Sequence, residues 1–114
     1  MRCFMNIVTD YLQKIKQTFV IELQECEQEL INYDISLKEN KRFISLLEES
    51  EDTNYDAFSP RSVDYYQKRK INELKNDQKE ILDQIRKIKN NIKILQSKIS
   101  EIDDVIKECE KMHY

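Results

Sequence analysis

The sequence predicts an all-α fold, a long antiparallel two-helix coiled-coil hairpin, from three observations. First, apolar side chains recur in steps of three and four over the second half of the chain. Second, the 114 residues include no Gly and a single Pro, and 36% of them are charged, a composition typical of long helices. Third, the net charge alternates in sign along the chain, in blocks that attract each other when the chain folds back on itself.

The second predicted helix, from about residue 60 to about residue 111, has the stronger apolar pattern. Steps of three and four average about 3.5 residues, so the side chains fall on one stripe that needs a supercoiled partner. With Ile71 at heptad position a, Ile fills most a and d positions, which favours three or four helices over a simple pair. The stripe consists of Ile71, Leu74, Gln78, Ile81, Ile85, Ile88, Ile92, Leu95, Ile99, Ile102, Ile106 and Cys109.

The first predicted helix, from about residue 6 to about residue 51, has a similar stripe with one interruption. Ile15, Phe19 and Leu23 follow each other in two steps of four, and such a stutter locally relaxes a left-handed supercoil. The stripe consists of Met5, Val8, Leu12, Ile15, Phe19, Leu23, Cys26, Leu30, Tyr33, Leu37, Asn40, Ile44 and Leu47.

The turn is predicted at about residues 52–59, where polar and acidic residues replace the stripe. Ser59 is suited to cap the second helix, and Pro60 to occupy its first position, where a missing N–H group costs nothing. The whole chain is therefore expected to form a single helical-hairpin domain, residues 1–114.

Charge predicts the relative direction of the helices. Residues 22–56 contain eleven acidic and three basic residues, a net charge of −8, and residues 57–98 contain eleven basic and five acidic residues, a net charge of +6. Residues 1–21 carry +2 and residues 99–114 carry −3. A hairpin places opposite signs side by side, whereas parallel pairing of identical chains places like signs together, so we expect antiparallel helices.

Two polar core positions bear on the register of the hairpin. In one register Asn40 faces Gln78, and the two amides share a layer that resists slippage because a shift would leave them against aliphatic side chains. In the other register Asn40 faces Ile71. The pairing of Asn40 with Gln78 is the one we favour.

Apolar residues also lie beside both stripes, where a single hairpin would leave them in water. Exposed apolar strips are rare on monomers, so we expect two hairpins to form a homodimer with a four-helix core. The lateral residues are Ile7, Val20, Ile21, Ile31, Ile35, Leu82, Ile94 and Val105.

The sequence indicates no catalytic residue, cofactor or metal site, and predicts a protein that is not an enzyme. Without Gly, phosphate-cradling loops are excluded, and the one histidine, His113, lies next to the last residue. Cys3, Cys26 and Cys109 have no metal-binding spacing, which predicts free thiols in the cytoplasm. No apolar run is long enough for a membrane span. The basic segments 68–70 and 86–89 lie among core isoleucines opposite an acidic helix, so we expect no nucleic acid partner.

Four aromatic residues flank the predicted turn: Tyr55, Phe58, Tyr65 and Tyr66. They can form a hydrophobic plug that closes the end of the bundle, or a recognition tip for a partner. We favour the plug, and the two interpretations are compatible with each other.

The order of these features resembles a known family. A long helix, the segment Tyr55-Asp56-Ala57-Phe58-Ser59-Pro60-Arg61, then Tyr65-Tyr66 and a heptad helix are similar to the cytosolic sensor region of DegS-type two-component sensor histidine kinases, over roughly residues 10–110. The resemblance implies a hairpin that dimerises, senses an intracellular state and passes a helix rearrangement to a kinase or response-regulator partner. The segment Lys111-Met112-His113-Tyr114 does not look like a phospho-acceptor box.

The expected function is therefore that of a non-enzymatic coiled-coil sensor or signal-coupling module, either alone or within a longer kinase. The alternative is a coiled-coil adaptor or export-chaperone-like structural protein built from the same hairpin. The stimulus is not encoded in any residue pattern that the sequence shows.

Overall fold

The computed structural model describes residues 2–53 and 61–111, with side chains described at 7–49 and 65–111. All described residues are helical, in α1 (Arg2–Thr53) and α2 (Arg61–Lys111). The two helices pack against each other as a hairpin, which confirms the predicted all-α hairpin. α1 extends beyond the predicted range of 6–51 at both ends, and α2 begins one residue after the predicted start. The predicted turn lies outside the described residues except for 52 and 53, which belong to α1.

α1 is one helix of 52 residues that passes through the stutter at Phe19 without a break. Its sequence contains neither Gly nor Pro, so nothing in it interrupts the main-chain hydrogen bonds. The stutter therefore changes which side of α1 faces α2, while the helix itself continues.

The packing of the hairpin falls into two compact units. Unit 1 combines Met1–Leu30 with Lys87–Tyr114. Its buried residues are Ile88, Leu95 and Ile106, all from the α2 stripe. The helices are antiparallel within it, since Lys16 pairs with Asp103 at 2.6 Å and the later residue Phe19 lies under the ammonium of Lys98, 5.3 Å from its ring centroid.

Unit 2 consists of Ile31–Arg86. Its buried apolar residues are Ile44, Ile71 and Ile85, again at stripe positions. Two buried amides cross between the helices within this unit, from Asn40 to the main chain of Leu74 and from Gln67 to the main chain of Leu47. Their reversed order along α1 and α2 shows that the helices are antiparallel here too.

The core of each unit is thin, because two helices can shield only the sides that face each other. Among the described residues, no large side chain is fully enclosed, and the least exposed, Ile106, keeps 5% of its surface accessible. Much of each helix therefore faces outward, and the residues on those faces are available for contact with other molecules.

Candidate functional site

Asn40 is the most conspicuous polar residue of unit 2. Its side chain is only 6% exposed, and its Nδ2 group donates a hydrogen bond of 2.8 Å to the carbonyl oxygen of Leu74. Its Oδ1 atom is buried and has no hydrogen-bond partner. In a helix the carbonyl of Leu74 also accepts the N–H of Gln78, so Asn40 lies against the turn that begins at Leu74 and ends at Gln78. Gln78 itself is half-buried.

The bond that Asn40 donates thus goes to a main-chain oxygen, whereas the sequence suggested a layer shared by two side-chain amides. Both predicted polar positions do lie on the inner side of their helices. Their role in fixing the register stays a prediction, because burial alone does not show what a register shift would cost.

Gln67 is a buried polar residue that the sequence analysis missed. It is 9% exposed, and its Nε2 group donates a hydrogen bond of 2.8 Å to the carbonyl oxygen of Leu47. Gln67 precedes Ile71 by four residues, so it occupies the d position of the preceding heptad. Extending the α2 stripe backwards by one step would have found it.

The aromatic residues near the turn are only partly described. Tyr55 and Phe58 lie outside the described residues. Tyr65 and Tyr66 are 69% and 74% exposed. Both rings are therefore accessible in the hairpin, and the choice between plug and recognition tip stays a prediction.

One side of each unit carries ion pairs between the helices. In heptad letters with a and d in the core, positions e and b flank the core on one side, and positions c and g flank it on the other. The Lys16–Asp103 pair in unit 1 joins two e positions. The pair between Glu48 and Lys75 in unit 2, at 3.5 Å, also joins two e positions. We call this side the e face, and the opposite side the c/g face.

Three residues of the basic segments of α2 pair within their own helix. Arg69 and Lys70 both lie near Glu73, at 3.6 and 3.9 Å, and Arg86 pairs with Asp83. We expected the acidic first helix to neutralise these segments. Arg69, Lys70 and Arg86 have acids of α2 itself, one turn away, as partners, because residues three or four apart are neighbours on a helix surface. Neutralisation of the segments as a whole by α1 stays a prediction.

The lateral apolar residues predicted to lie in water are exposed, with one correction. Val20 is half-buried, because the stutter turns that part of α1 toward α2. Tyr11, Phe43 and Leu46 join the exposed set. The predicted residues that are 44–65% exposed are Ile7, Ile21, Ile31, Ile35, Leu82, Ile94 and Val105.

An open groove lies on the c/g face of each unit. The groove in unit 1 has a volume of about 300 Å³ and is lined by Glu22, Glu25, Cys26, Glu29, Asn91, Ile94, Leu95 and Lys98. The groove in unit 2 has a volume of about 720 Å³ and is lined by Tyr33, Asp77, Glu80, Ile81, Asp83 and Gln84. Both are bordered by carboxylates and are shallow depressions between two helices.

The thiol of Cys26 is the one nucleophile in the unit 1 groove. Its partial removal from water raises the pKa of Cys26 above the usual value, and the negative charges of Glu29, Glu22 and Glu25 raise the pKa further. A reactive cysteine needs the opposite shift, toward the thiolate. Cys26 and Cys109 are both free and half-buried, which is the environment of small core residues.

The described residues offer neither a metal site nor a helix able to cross a membrane. No group of three or more His, Cys, Asp or Glu side chains within 7–49 and 65–111 is arranged to hold a metal ion. No helical stretch among the described residues combines the length and the apolar character that crossing a membrane requires.

Comparison with known proteins gives no relative for this chain: no protein-family model, no curated protein and no solved structure matches it. The likeness to the sensor region of DegS-type kinases therefore stays a prediction from the residues around the turn and from the heptad pattern.

Proposed function

We propose that this chain is a non-enzymatic coiled-coil module that couples a signal to a partner through the paired helices of a homodimer, as the resemblance to DegS-type sensor regions implies. The observation that supports the proposal is the set of large apolar side chains that the hairpin leaves in water. Such surfaces mark sites of protein–protein contact. Ile at both a and d positions also favours a core of more than two helices.

Among the described residues, the polar contacts between the helices differ in part between the two units, and this difference suits a coupling role. Those of unit 1 involve surface charges, in the Lys16–Asp103 pair and in Lys98 over Phe19. Exposed ion pairs are weak and can exchange partners. Unit 2 also has an ion pair, between Glu48 and Lys75, and in addition two buried amides that donate to main-chain oxygens. We propose that unit 1 tolerates small helix shifts, and that the amides hold the register of unit 2.

The proposal assigns the protein to the cytoplasm, with a histidine kinase or a response regulator as the partner that receives the signal. Free Cys26 and Cys109 support that location, because thiols persist in reducing compartments. Shallow grooves and a cysteine with a raised pKa support a role without catalysis.

A series of fusions tests the coupling role. The chain is joined through α2 to the catalytic module of a histidine kinase, and one to seven alanines are inserted at the junction. Coupling through helix orientation predicts that autophosphorylation rises and falls with a period of one heptad, about seven residues. Activity that ignores the insertion length would contradict the proposal. A fusion carrying Ile88→Asp, which breaks the core, serves as the control and should lose the periodicity.

The adaptor remains the second candidate because Tyr65 and Tyr66 are both exposed on unit 2. An adaptor that uses them should lose its partner when both are changed to Ala, while its self-association stays intact. A signal-coupling hairpin should keep the heptad periodicity with the same substitutions. The fusion series in the Tyr65→Ala, Tyr66→Ala background therefore separates the two functions.

A further inference from the structure

The exposed apolar residues of unit 1 gather on one face. Ile7 and Tyr11 occupy c and g positions of α1, and Ile94 and Val105 occupy c and g positions of α2. They are 65%, 64%, 46% and 44% exposed. Reversing one helix of a pair mirrors the order of its flanking positions, so the c and g positions of two antiparallel helices lie on the same side of the pair. These residues therefore lie on the same side of unit 1, on both helices.

The contacts within unit 1 agree with this assignment. The Lys16–Asp103 ion pair spans the e face. The groove that contains Ile94 opens on the c/g face, since its lining consists of c, d and g residues of both helices. The e face of unit 1 is therefore bridged by an ion pair, and the c/g face carries an open groove with both apolar and charged residues.

The apolar residues also occupy matching levels on the two helices. The contact of Phe19 with Lys98 sets the levels of the two antiparallel helices, so residues before Phe19 lie opposite residues after Lys98. Tyr11 lies eight residues before Phe19, and Val105 lies seven residues after Lys98, so the two are within one residue of the same level. Ile21, 47% exposed, occupies position c when counted from Phe19, and comes within two residues of the level of Ile94. One residue corresponds to about 1.5 Å along a helix, so each pair lies within one turn.

Charge on the same face distinguishes the ways in which two copies can meet. Glu22, Glu25 and Glu29 border the groove from α1, and Lys98 borders it from α2. A two-fold axis parallel to the helices lays α1 on the partner's α2 at unchanged levels, so Glu22 comes within about one turn of Lys98 of the partner. A two-fold axis perpendicular to the helices lays α1 on the partner's α1 in the reverse direction, so with the Ile21 residues aligned Glu22 comes within about one turn of its own copy.

We infer that the c/g face of unit 1 is the surface on which a second copy of this chain docks, with α1 of each copy against α2 of the other about a two-fold axis parallel to the helices. This inference rests on the proposed self-association and adds to it the face, the orientation and the residues. Ile21 of one copy then packs beside Ile94 of its partner, and Tyr11 beside Val105 of its partner.

A matched pair of substitutions tests the choice of face. Ile94 on the c/g face and Leu82 on the e side of α2 are almost equally exposed, at 46% and 47%. Ile94→Glu removes an apolar contact and places a carboxylate opposite the carboxylates that border the groove of the partner. We expect it to weaken dimerisation at least about tenfold, equivalent to about 1.4 kcal/mol. Leu82→Glu should leave the dimer affinity within about twofold, as surface substitutions away from contacts do.

Sedimentation velocity measures both variants and the wild-type chain, and circular dichroism checks that each variant remains helical. A wild-type dimer that Ile94→Glu dissociates and Leu82→Glu preserves supports the inference. A wild-type dimer that tolerates both changes, or loses affinity equally with both, overturns the choice of face and leaves the proposed function standing. A wild-type monomer overturns the proposed function together with the inference.

Cross-linking between different chains tests the orientation of the two copies without adding a charge to the interface. In a background in which Cys3, Cys26 and Cys109 are changed to Ala, chains with Ile21→Cys are mixed with chains with Ile94→Cys and treated with a short bismaleimide. The parallel two-fold axis predicts a mixed cross-linked dimer, and the control mixture with Leu82→Cys should give none. Self-cross-linking of Ile21→Cys chains in preference to the mixed product would overturn the orientation.

Discussion

Replacing Asn40 with Leu should stabilise the protein, because the folded state carries an unpaired polar atom at this residue. Asn40 is 6% exposed, its Nδ2 group donates one hydrogen bond of 2.8 Å, and its Oδ1 atom has no partner. The acceptor, the carbonyl oxygen of Leu74, lies within α2 and keeps its main-chain partner after the change. Asn40→Leu thus removes an orphaned acceptor without creating another.

The size of the effect follows from four contributions. Loss of the side-chain bond costs roughly 0.5–1.5 kcal/mol, and relief of the unpaired Oδ1 atom returns roughly 1–3 kcal/mol. Burial of the larger apolar side chain adds roughly 1.5–3 kcal/mol, from which imperfect packing of the new shape subtracts roughly 1 kcal/mol. The free energy of unfolding should therefore rise by about 2 kcal/mol, which corresponds to an increase in Tm of roughly 8 °C for a chain of this size.

Thermal unfolding followed by circular dichroism measures this change, at one protein concentration because self-association raises Tm. Gln67→Leu is the matched control, since Gln67 is equally buried and bonded to a carbonyl, yet none of its buried atoms lacks a partner. It should shift Tm much less than Asn40→Leu. A Tm that falls with Asn40→Leu would refute the reasoning, because the amide would then contribute more than its unpaired oxygen costs.

The double variant Asn40→Leu, Gln78→Leu extends the argument to register. We expect a further rise in Tm together with loss of a unique register, because an all-aliphatic layer no longer penalises slippage. Cysteines placed at Leu37 and Ile81 report the register through disulfide formation. Their yield should be high in the parent chain and lower in the double variant, and an unchanged yield would show that the amides do not set the register.

Three further predictions address the core, the groove and the ion pairs. Ile88→Asp should unfold the chain at 25 °C, because an unpaired charge in a core layer costs several kcal/mol; retention of the helical dichroism signal would contradict this. Alkylation of Cys26 by iodoacetamide should be slow at pH 8 and accelerate only above the usual thiol pKa, because burial and nearby carboxylates disfavour the thiolate. Glu25→Gln should lower the midpoint of the rate–pH profile. A midpoint below the usual thiol pKa in the wild-type chain would contradict the raised pKa of Cys26. Lys16→Met should change the free energy of unfolding by no more than about 1 kcal/mol, because Lys16 and Asp103 remain 30% and 38% exposed. A larger loss of unfolding free energy in urea titrations would show that the pair is shielded from water.

The apolar pattern predicted the inner faces of the helices well. Ile71, Ile85, Ile88, Leu95 and Ile106 are the buried apolar residues of α2 among those described, and each lies on the predicted stripe. A heptad pattern is a direct consequence of burial on one side of a helix, so it can be obtained from sequence alone. Gln67 was missed because the stripe was begun at its first apolar member.

The polar contacts could not be predicted in the same way. Every residue of a helix has a carbonyl oxygen, so nothing in the sequence marks Leu74 or Leu47 as the acceptor for Asn40 or Gln67. The half-burial of Val20 has a similar origin, because a stutter rotates the contact face by an amount that depends on how the helices repack. Residue patterns predict which side of a helix is buried, and the axial and rotational details depend on packing.

The account rests above all on the association of two hairpins, and sedimentation equilibrium of the wild-type chain tests it most directly. The chain has a mass of 13.8 kDa. At micromolar concentration the account predicts twice that mass, with dissociation toward the single-chain mass on dilution. A fully helical species that keeps the single-chain mass at every concentration would contradict the account.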